Sequence, residues 1–185
     1  MGEPLSRDPA ERSAPQLGEE QQKAMLAMLD AREERWNLRL ALSERYDSLL
    51  TMTLCIPLPF RTEAGWKAFL LRQADRFAAY AESCGAAAEK AAVLEGADGT
   101  AVFYGFGCSG EALKKIAVAY ENLEPSHRLL DADVMEKGRA IGRAELKLPP
   151  RRCFLCSRNA ADCVSASRHS PEEIALYLRT VPTGK

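Results

Sequence analysis

Between Thr51 and Arg143 the spacing of apolar residues switches back and forth between two and about 3.6 residues. A chain that does this must combine strands and helices around one core. Met52, Leu54 and Ile56 alternate with Thr51, Thr53 and Cys55, which predicts a strand ended by Pro57 and Pro59. Over residues 62–84, Trp66, Phe69, Leu70, Phe77, Tyr80, Ala81 and Cys84 form one helical stripe, with Gly85 as the stop. The run AAVLEGADGTAVFYGF predicts two short strands about a Gly96-Ala97-Asp98-Gly99 turn. Ser109 is placed to cap a helix over 110–121, where Leu113, Ile116, Ala117 and Tyr120 share a face. Pro125 breaks the chain, Arg128 to Met135 predicts a further strand, and Gly138 turns it into a short return strand over 139–143.

The order strand, helix, strand, strand, helix, strand is the split β-α-β, ferredoxin-like order. It predicts an α+β fold, an antiparallel sheet with both helices on one face. Residues 19–45 predict an added N-terminal helix, with Met25, Leu29, Trp36 and Leu40 near one face and Arg32, Glu33 and Arg35 opposite. Residues 1–17 carry three Pro, mixed charge and no periodicity, and are expected to be a disordered tail before a single domain over 18–185. Pro149-Pro150 opens a Cys-rich basic extension, about 149–185, that closes in a helix capped by Ser170 with Pro171 in its first turn.

With 46% hydrophobic residues the chain has material for a core, which excludes disorder throughout. No run approaches the roughly 18 apolar residues of a membrane span, and the polar start MGEPLSRDPAERSAP is unlike a secretion signal. No membrane partner is therefore expected. The 25 Lys+Arg against 26 Asp+Glu argue against nucleic acid as a partner on global charge, so any polyanion must meet a local patch. Such a patch lies between Arg143 and His169, where six basic residues face two acidic ones; a solvated basic loop is the competing reading. Six Cys without a secretion signal do not suggest a disulfide framework and point to a reducing, cytoplasmic compartment. Cys55 and Cys84, in apolar surroundings, are expected to be small buried hydrophobes.

Three sets of residues could carry chemistry. In a strand, Asp131 and Asp133 point to one face while Leu130, Ala132 and Val134 point to the other. Paired carboxylates repel, and a hard divalent cation such as Mg²⁺ relieves that repulsion, as in enzymes that transfer phosphoryl or nucleotidyl groups. His127 and Arg128 lie just before the pair, and Arg suits a phosphate. Two acids on a solvated strand face would look the same. The second set is the basic tract itself, with Arg143, Arg151 and Arg152. The third lies inside it: Cys153-x2-Cys156-x6-Cys163-x5-His169, three thiols and an imidazole that could complete a tetrahedral zinc site. Reduced, buried thiols are the alternative. Gly107-Cys108-Ser109-Gly110 lacks the glycine and lysine pattern of a phosphate loop and is read as an ordinary helix cap.

Taken in order, several segments resemble one family. They are Asp30-Ala31-Arg32-Glu33-Glu34-Arg35, Thr53 to Pro59, Arg128-Leu129-Leu130-Asp131-Ala132-Asp133-Val134, Gly142-Arg143, Leu148-Pro149-Pro150-Arg151-Arg152-Cys153-Phe154-Leu155-Cys156, Cys163 and Arg168-His169. Together they are similar to the holo-citrate lyase synthases, the apo-citrate lyase phosphoribosyl-dephospho-CoA transferases, over about residues 25–180. The resemblance implies a transferase. Its partners would be triphosphoribosyl-dephospho-CoA and the apo acyl-carrier (gamma) subunit of citrate lyase. A serine hydroxyl of that subunit attacks the donor's α-phosphate and diphosphate leaves. On this reading Asp131 and Asp133 would hold Mg²⁺, Arg128 would act with them, and Arg32, Arg35, His127, Arg143, Arg151 and Arg152 would bind donor phosphates. The family's usual His-Pro-Leu-Gly before Arg-Leu reads Glu124-Pro125-Ser126-His127 here, so His127 would act from a shifted position. The same transfer to another carrier, of malonate decarboxylase type, and a non-catalytic zinc-stabilised adaptor are the alternatives.

Overall fold

The computed structural model describes residues 18–183; the expected tail over 1–17 lies outside the described residues. The elements follow the order α1 (Glu19–Ser43), β1 (Ser48–Leu54), α2 (Leu58–Arg61), α3 (Ala64–Ser83), β2 (Ala88–Gly96), β3 (Gly99–Phe106), α4 (Gly110–Glu121), a 3₁₀ turn (Pro125–Leu129), β4 (Leu130–Glu136), β5 (Arg139–Ile141), α5 (Ala160–Ser165) and α6 (Pro171–Thr180). The five strands form one antiparallel sheet in the order β2-β3-β1-β4-β5, an α+β architecture. β3 lies between β1 and β2, so the strands on either side of α3 are split by a third.

The pleat sorts the side chains into two layers. Leu50, Met52 and Leu54 of β1 and Leu130 and Val134 of β4 meet Phe69, Leu70, Phe77, Leu113 and Ala117 from α3 and α4 in the main core. Phe77 sits edge-on to both Phe106 and Tyr120, at 6.3 and 5.3 Å between ring centres. Truncating such a fully buried ring to Ala costs about 3–5 kcal/mol. The odd-numbered residues of β1 face the other way, where Leu49, Ala101 and Phe103 pack under Leu42 of α1. Covered on both sides, β3 is buried at all eight positions.

The helix over 110–121 lies where its cap places it, with Ser109 Oγ accepting from the Ala112 amide at 3.3 Å. Ser170 likewise caps α6, accepting from the Glu173 amide at 3.1 Å. The β4–β5 hairpin turns through Lys137 and Gly138, both at positive φ (48° and 77°), the backbone a two-residue hairpin loop needs. Three expectations are corrected. Arg128 belongs to the 3₁₀ turn rather than to β4, because Pro125 fixes a helical φ there. Cys84 is exposed, because it follows the last turn of α3 rather than lying on its stripe. The apolar stripe of α1 faces outward, with Met25, Leu29 and Trp36 each over 40% exposed.

The helix instead presents Ala31, Arg35, Leu38 and Leu42 to the sheet. Ala31 rests on the β2–β3 turn so closely that a Cβ on Gly96 would lie 2.7 Å from its own. Arg35 reaches Asp98 in that turn at 2.6 Å. The Arg35–Asp98 ion pair and the packing of Ala31, Leu38 and Leu42 together set the helix's rotation.

Candidate active site and metal centre

Asp131 and Asp133 stand opposite Thr53 and Thr51 of β1, on the sheet face that α1 covers. Both carboxylates remain about half exposed, at 45% and 53%. Asp133 Oδ2 is 3.4 Å from Arg39 of α1, and Asp131 Oδ1 accepts from Arg151 at 3.0 Å. Each contact engages one oxygen, and among the described residues the second oxygen of each carboxylate has no hydrogen bond. Two hard oxygens on one strand face, open to solvent, are a donor set that fits a divalent cation.

Arg151 is the hub of the site. Its guanidinium also meets Glu121 at 3.2 Å, the Arg128 carbonyl at 3.0 Å, the Cys55 thiol at 3.1 Å and the Leu130 carbonyl. Glu121 pairs in turn with Arg143. Beyond the end of β5, β4 would leave carbonyls unpaired at its edge. Arg151 takes that of Leu130, and Lys114 takes that of Ala132 at 2.8 Å. Burial lowers the Lys114 ammonium pKa, and Asp133 opposes that shift. The same burial pushes the Cys55 thiol up to about 11, and it donates to the Arg128 carbonyl at 3.1 Å.

The predicted basic residues thus divide. Arg143 and Arg151 are neutralised by Glu121 and Asp131, and Arg35 by Asp98, with Arg32 4.0 Å from the same carboxylate. Arg35, Thr53, Arg61 and Asp98 enclose a pocket of about 20 Å³, space for roughly one water. Arg128 and Arg152 have no carboxylate partner among the described residues, and Arg128 Nε is buried without a hydrogen bond. His127 lies in the core instead of on a ligand-facing surface. It is 1% exposed, stacks on Tyr120 at 4.1 Å, and its Nδ1 lies 2.8 Å from the Tyr120 carbonyl.

The ligand atoms of Cys153, Cys156, Cys163 and His169 all lie within 4.8 Å of one another. Cys153 Sγ is 3.5 Å from His169 Nε2, and Cys156 Sγ is 3.5 Å from Cys163 Sγ. These edges approach the roughly 3.7 Å expected for a tetrahedron with Zn–S bonds near 2.3 Å. An antiparallel bridge between Arg152 and Asn159 closes the knuckle, with the Cys153 amide donating to the Arg158 carbonyl at 2.8 Å. His169 Nδ1 is 3.3 Å from Glu173, the outer-shell carboxylate that orients a ligating imidazole. A backbone contact from Arg158 brings the Cys156 thiol down to about 7. The cluster can hold a metal ion. Beside it opens a cleft of about 800 Å³ that runs from Cys55, Arg128 and Arg151 to Val164 and Ile174.

The family model described as apo-citrate lyase phosphoribosyl-dephospho-CoA transferase matches residues 23–182. The chain belongs to that family. A transferase of this name from Citrobacter koseri is 25% identical over 152 residues, 82% of this chain and 80% of its own. One from Escherichia coli is 27% identical over 157 residues, covering 84% and 86%. A probable transferase of the same name from Streptococcus pyogenes is 34% identical over 160 residues, covering 82% and 81%. The match runs from α1 through β4 to the Cys cluster. Glu121, Lys114, Arg39 and Asp98 were missed in the sequence. Each is a single charged residue on a helix or turn, and only the fold brings it to a partner.

Proposed function

We propose that the protein transfers the phosphoribosyl-dephospho-CoA group from triphosphoribosyl-dephospho-CoA to a serine of the apo acyl-carrier subunit of citrate lyase. The family match over residues 23–182 carries this reading. The carboxylate pair and the arginines around it are the chemistry that it requires. The bond that forms is serine Oγ to the donor's α-phosphorus. The bond that breaks joins that phosphorus to diphosphate, and the serine proton leaves to solvent or to the departing diphosphate. Asp131 and Asp133 would hold Mg²⁺, which neutralises phosphate charge and polarises the reacting phosphorus. Arg128 and Arg152, unpaired, are free to grip donor phosphates. Arg143 and Arg151, already paired, position the carboxylates and the Cys-rich segment, and Arg35 anchors α1.

Zn²⁺ is the ion that suits the Cys153, Cys156, Cys163 and His169 set, three thiolates and an imidazole with a satisfied outer shell. With no open position it would be structural. All six thiols are free, which fits a reducing cytoplasm, and no helix among the described residues is long and apolar enough to cross a membrane.

The deciding experiment is intact-mass analysis of the apo carrier subunit after incubation with this protein, Mg²⁺ and triphosphoribosyl-dephospho-CoA. A gain of one phosphoribosyl-dephospho-CoA group, abolished by Asp131→Asn, is expected. A folded protein that leaves the mass unchanged with a competent donor would overturn the assignment. If it modified a malonate decarboxylase carrier instead, only the acceptor would change.

A further inference from the structure

We propose that the apolar cleft beside the Cys cluster seats the dephospho-CoA arm of the donor, with Arg128 and Arg152 as its phosphate ligands. This deepens the transferase reading and rests on it.

The cleft, at about 800 Å³, is of the size that takes a whole cofactor-like molecule. Its walls are mostly apolar: Phe154 and Leu155 from the knuckle, Val164 from α5 and Ile174 from α6. Val164 is 79% exposed, so a large hydrophobe projects where nothing on this chain covers it among the described residues. The cationic end is where Arg151 meets Cys55 and the Arg128 carbonyl; Arg152 also lines the cleft, as do the polar Ser165, Ser167, His169 and Ser170. A ligand that fits has an anionic section at that end and a long, weakly polar remainder. In dephospho-CoA the diphosphate heads a long pantetheine arm, so the arm has that distribution, with the nucleoside lying beyond the arginines.

Charge bookkeeping selects the phosphate ligands. Arg151 at the same end is already matched by Glu121 and Asp131. Arg128 and Arg152 have no carboxylate partner among the described residues, and the Nε donor of Arg128 is buried without an acceptor. A buried donor left unsatisfied destabilises the site, and an incoming phosphate oxygen would remove that penalty. Location agrees with chemistry. Arg151 touches Asp131 at 3.0 Å, so the arginine end of the cleft adjoins the carboxylate pair. A donor lying along the cleft would deliver its reacting triphosphate toward Asp131 and Asp133, with the phosphoribosyl unit between.

The test is calorimetric titration of the full, metal-loaded chain with dephospho-CoA, without Mg²⁺ or carrier so that no transfer occurs. Arg152→Ala and Val164→Glu change exposed positions and should leave folding intact. Each is expected to weaken binding at least tenfold, and the pair together more. Lys115→Ala, on the outer face of α4, should leave it unchanged. Affinity within twofold of the unaltered protein for both cleft variants would overturn the assignment. So would an unaltered protein that does not bind dephospho-CoA at millimolar concentration. Neither result would touch the transferase reading, which falls only if the unaltered protein modifies no carrier. If that happens while binding still depends on Arg152 and Val164, the cleft assignment stands alone.

Discussion

Strand β3 and the segment from Arg151 to Ser170 are held in opposite ways. All eight residues of β3 are buried, between α3 on one side and α1 on the other. In the 20 residues of the second segment the only buried ones are Cys153 and Cys163. Burial of apolar surface is non-directional and shared among many neighbours, so the sheet has no single point of failure. The Cys-rich segment packs Phe154 against the main core and stacks it on Tyr177, but has little other apolar interior to share. Its conformation depends on four ligand atoms and on the ion pairs that tie Arg151 to the sheet. A segment held this way can leave an apolar side chain such as Val164 exposed.

Removing the metal should break the contrast most severely. Purified protein should contain about one zinc per chain, and a structural zinc contributes on the order of 10 kcal/mol to folding in small peptides. Chelation, or Cys163→Ser, should therefore release amide protection across residues 151–170 while β1, β3 and β4 keep theirs. Hydrogen exchange read by mass spectrometry resolves the two regions in one experiment. Undiminished protection over 151–170 in metal-free protein would mean that reduced thiols alone pack the knuckle.

Asp131→Asn should do the reverse, leaving the fold and removing the chemistry. A drop in transfer of about 100-fold or more is expected for one lost metal ligand, with little change in melting temperature because the side chain is about half exposed. Asp131 also holds Arg151, so Asp133→Asn is the sharper variant, its partner being Arg39. Equal losses from both would support a shared cation. A loss confined to Asp131→Asn would assign that residue to positioning Arg151 and would sink the metal pair.

The same contrast governs what could be read from the sequence. The period of two over 51–56 and the stripes over 62–84 and 110–121 report burial, and burial is what fixes β1, α3 and α4. The stripe of Met25, Leu29 and Trp36 obeyed the same period and misled, because α1 is oriented by Arg35 on Asp98 and by the close approach at Gly96. Pairings between distant charges leave no periodic trace. For that reason Asp131 and Asp133 were legible as a strand-face pair, whereas Glu121 was not. Local excess charge overstated the free cations of the basic tract, since Arg143 and Arg151 are consumed by carboxylates from elsewhere in the fold.

Glu121→Gln tests that joint between the two regions. It leaves two arginine side chains, each about one-fifth exposed, without their shared anion. A loss of about 1–3 kcal/mol is expected, below the cost for a fully buried pair because water reaches both. Exchange should quicken first over 143–160, and Arg143→Ala combined with it should cost less than the sum of the two. Strict additivity in that cycle would mean that the pairs contribute nothing as a unit.

The smallest effect belongs inside the sheet region. Asp75 of α3 accepts from Tyr104 at 2.6 Å and from Lys90 at 2.8 Å, tying the helix to β3 and β2. The Lys90 contact first, and then the Tyr104 hydroxyl, hold the Asp75 carboxyl below its ordinary range. A depressed carboxyl stabilises the fold above its unfolded pKa and loses that contribution as pH falls through the folded value. Asp75→Asn should therefore lower stability at pH 7, and the gap from the unaltered protein should close in acid, below about pH 4. Because the side chain is 62% exposed, the gap should stay under about 1 kcal/mol in chemical denaturation. The apolar contacts of Phe77 and Leu70 beside it already hold α3 in place. If Asp75→Asn cost more than Glu121→Gln, the sheet would depend on its polar ties as heavily as the Cys-rich segment does, and the distinction between shared burial and localised contacts would fail.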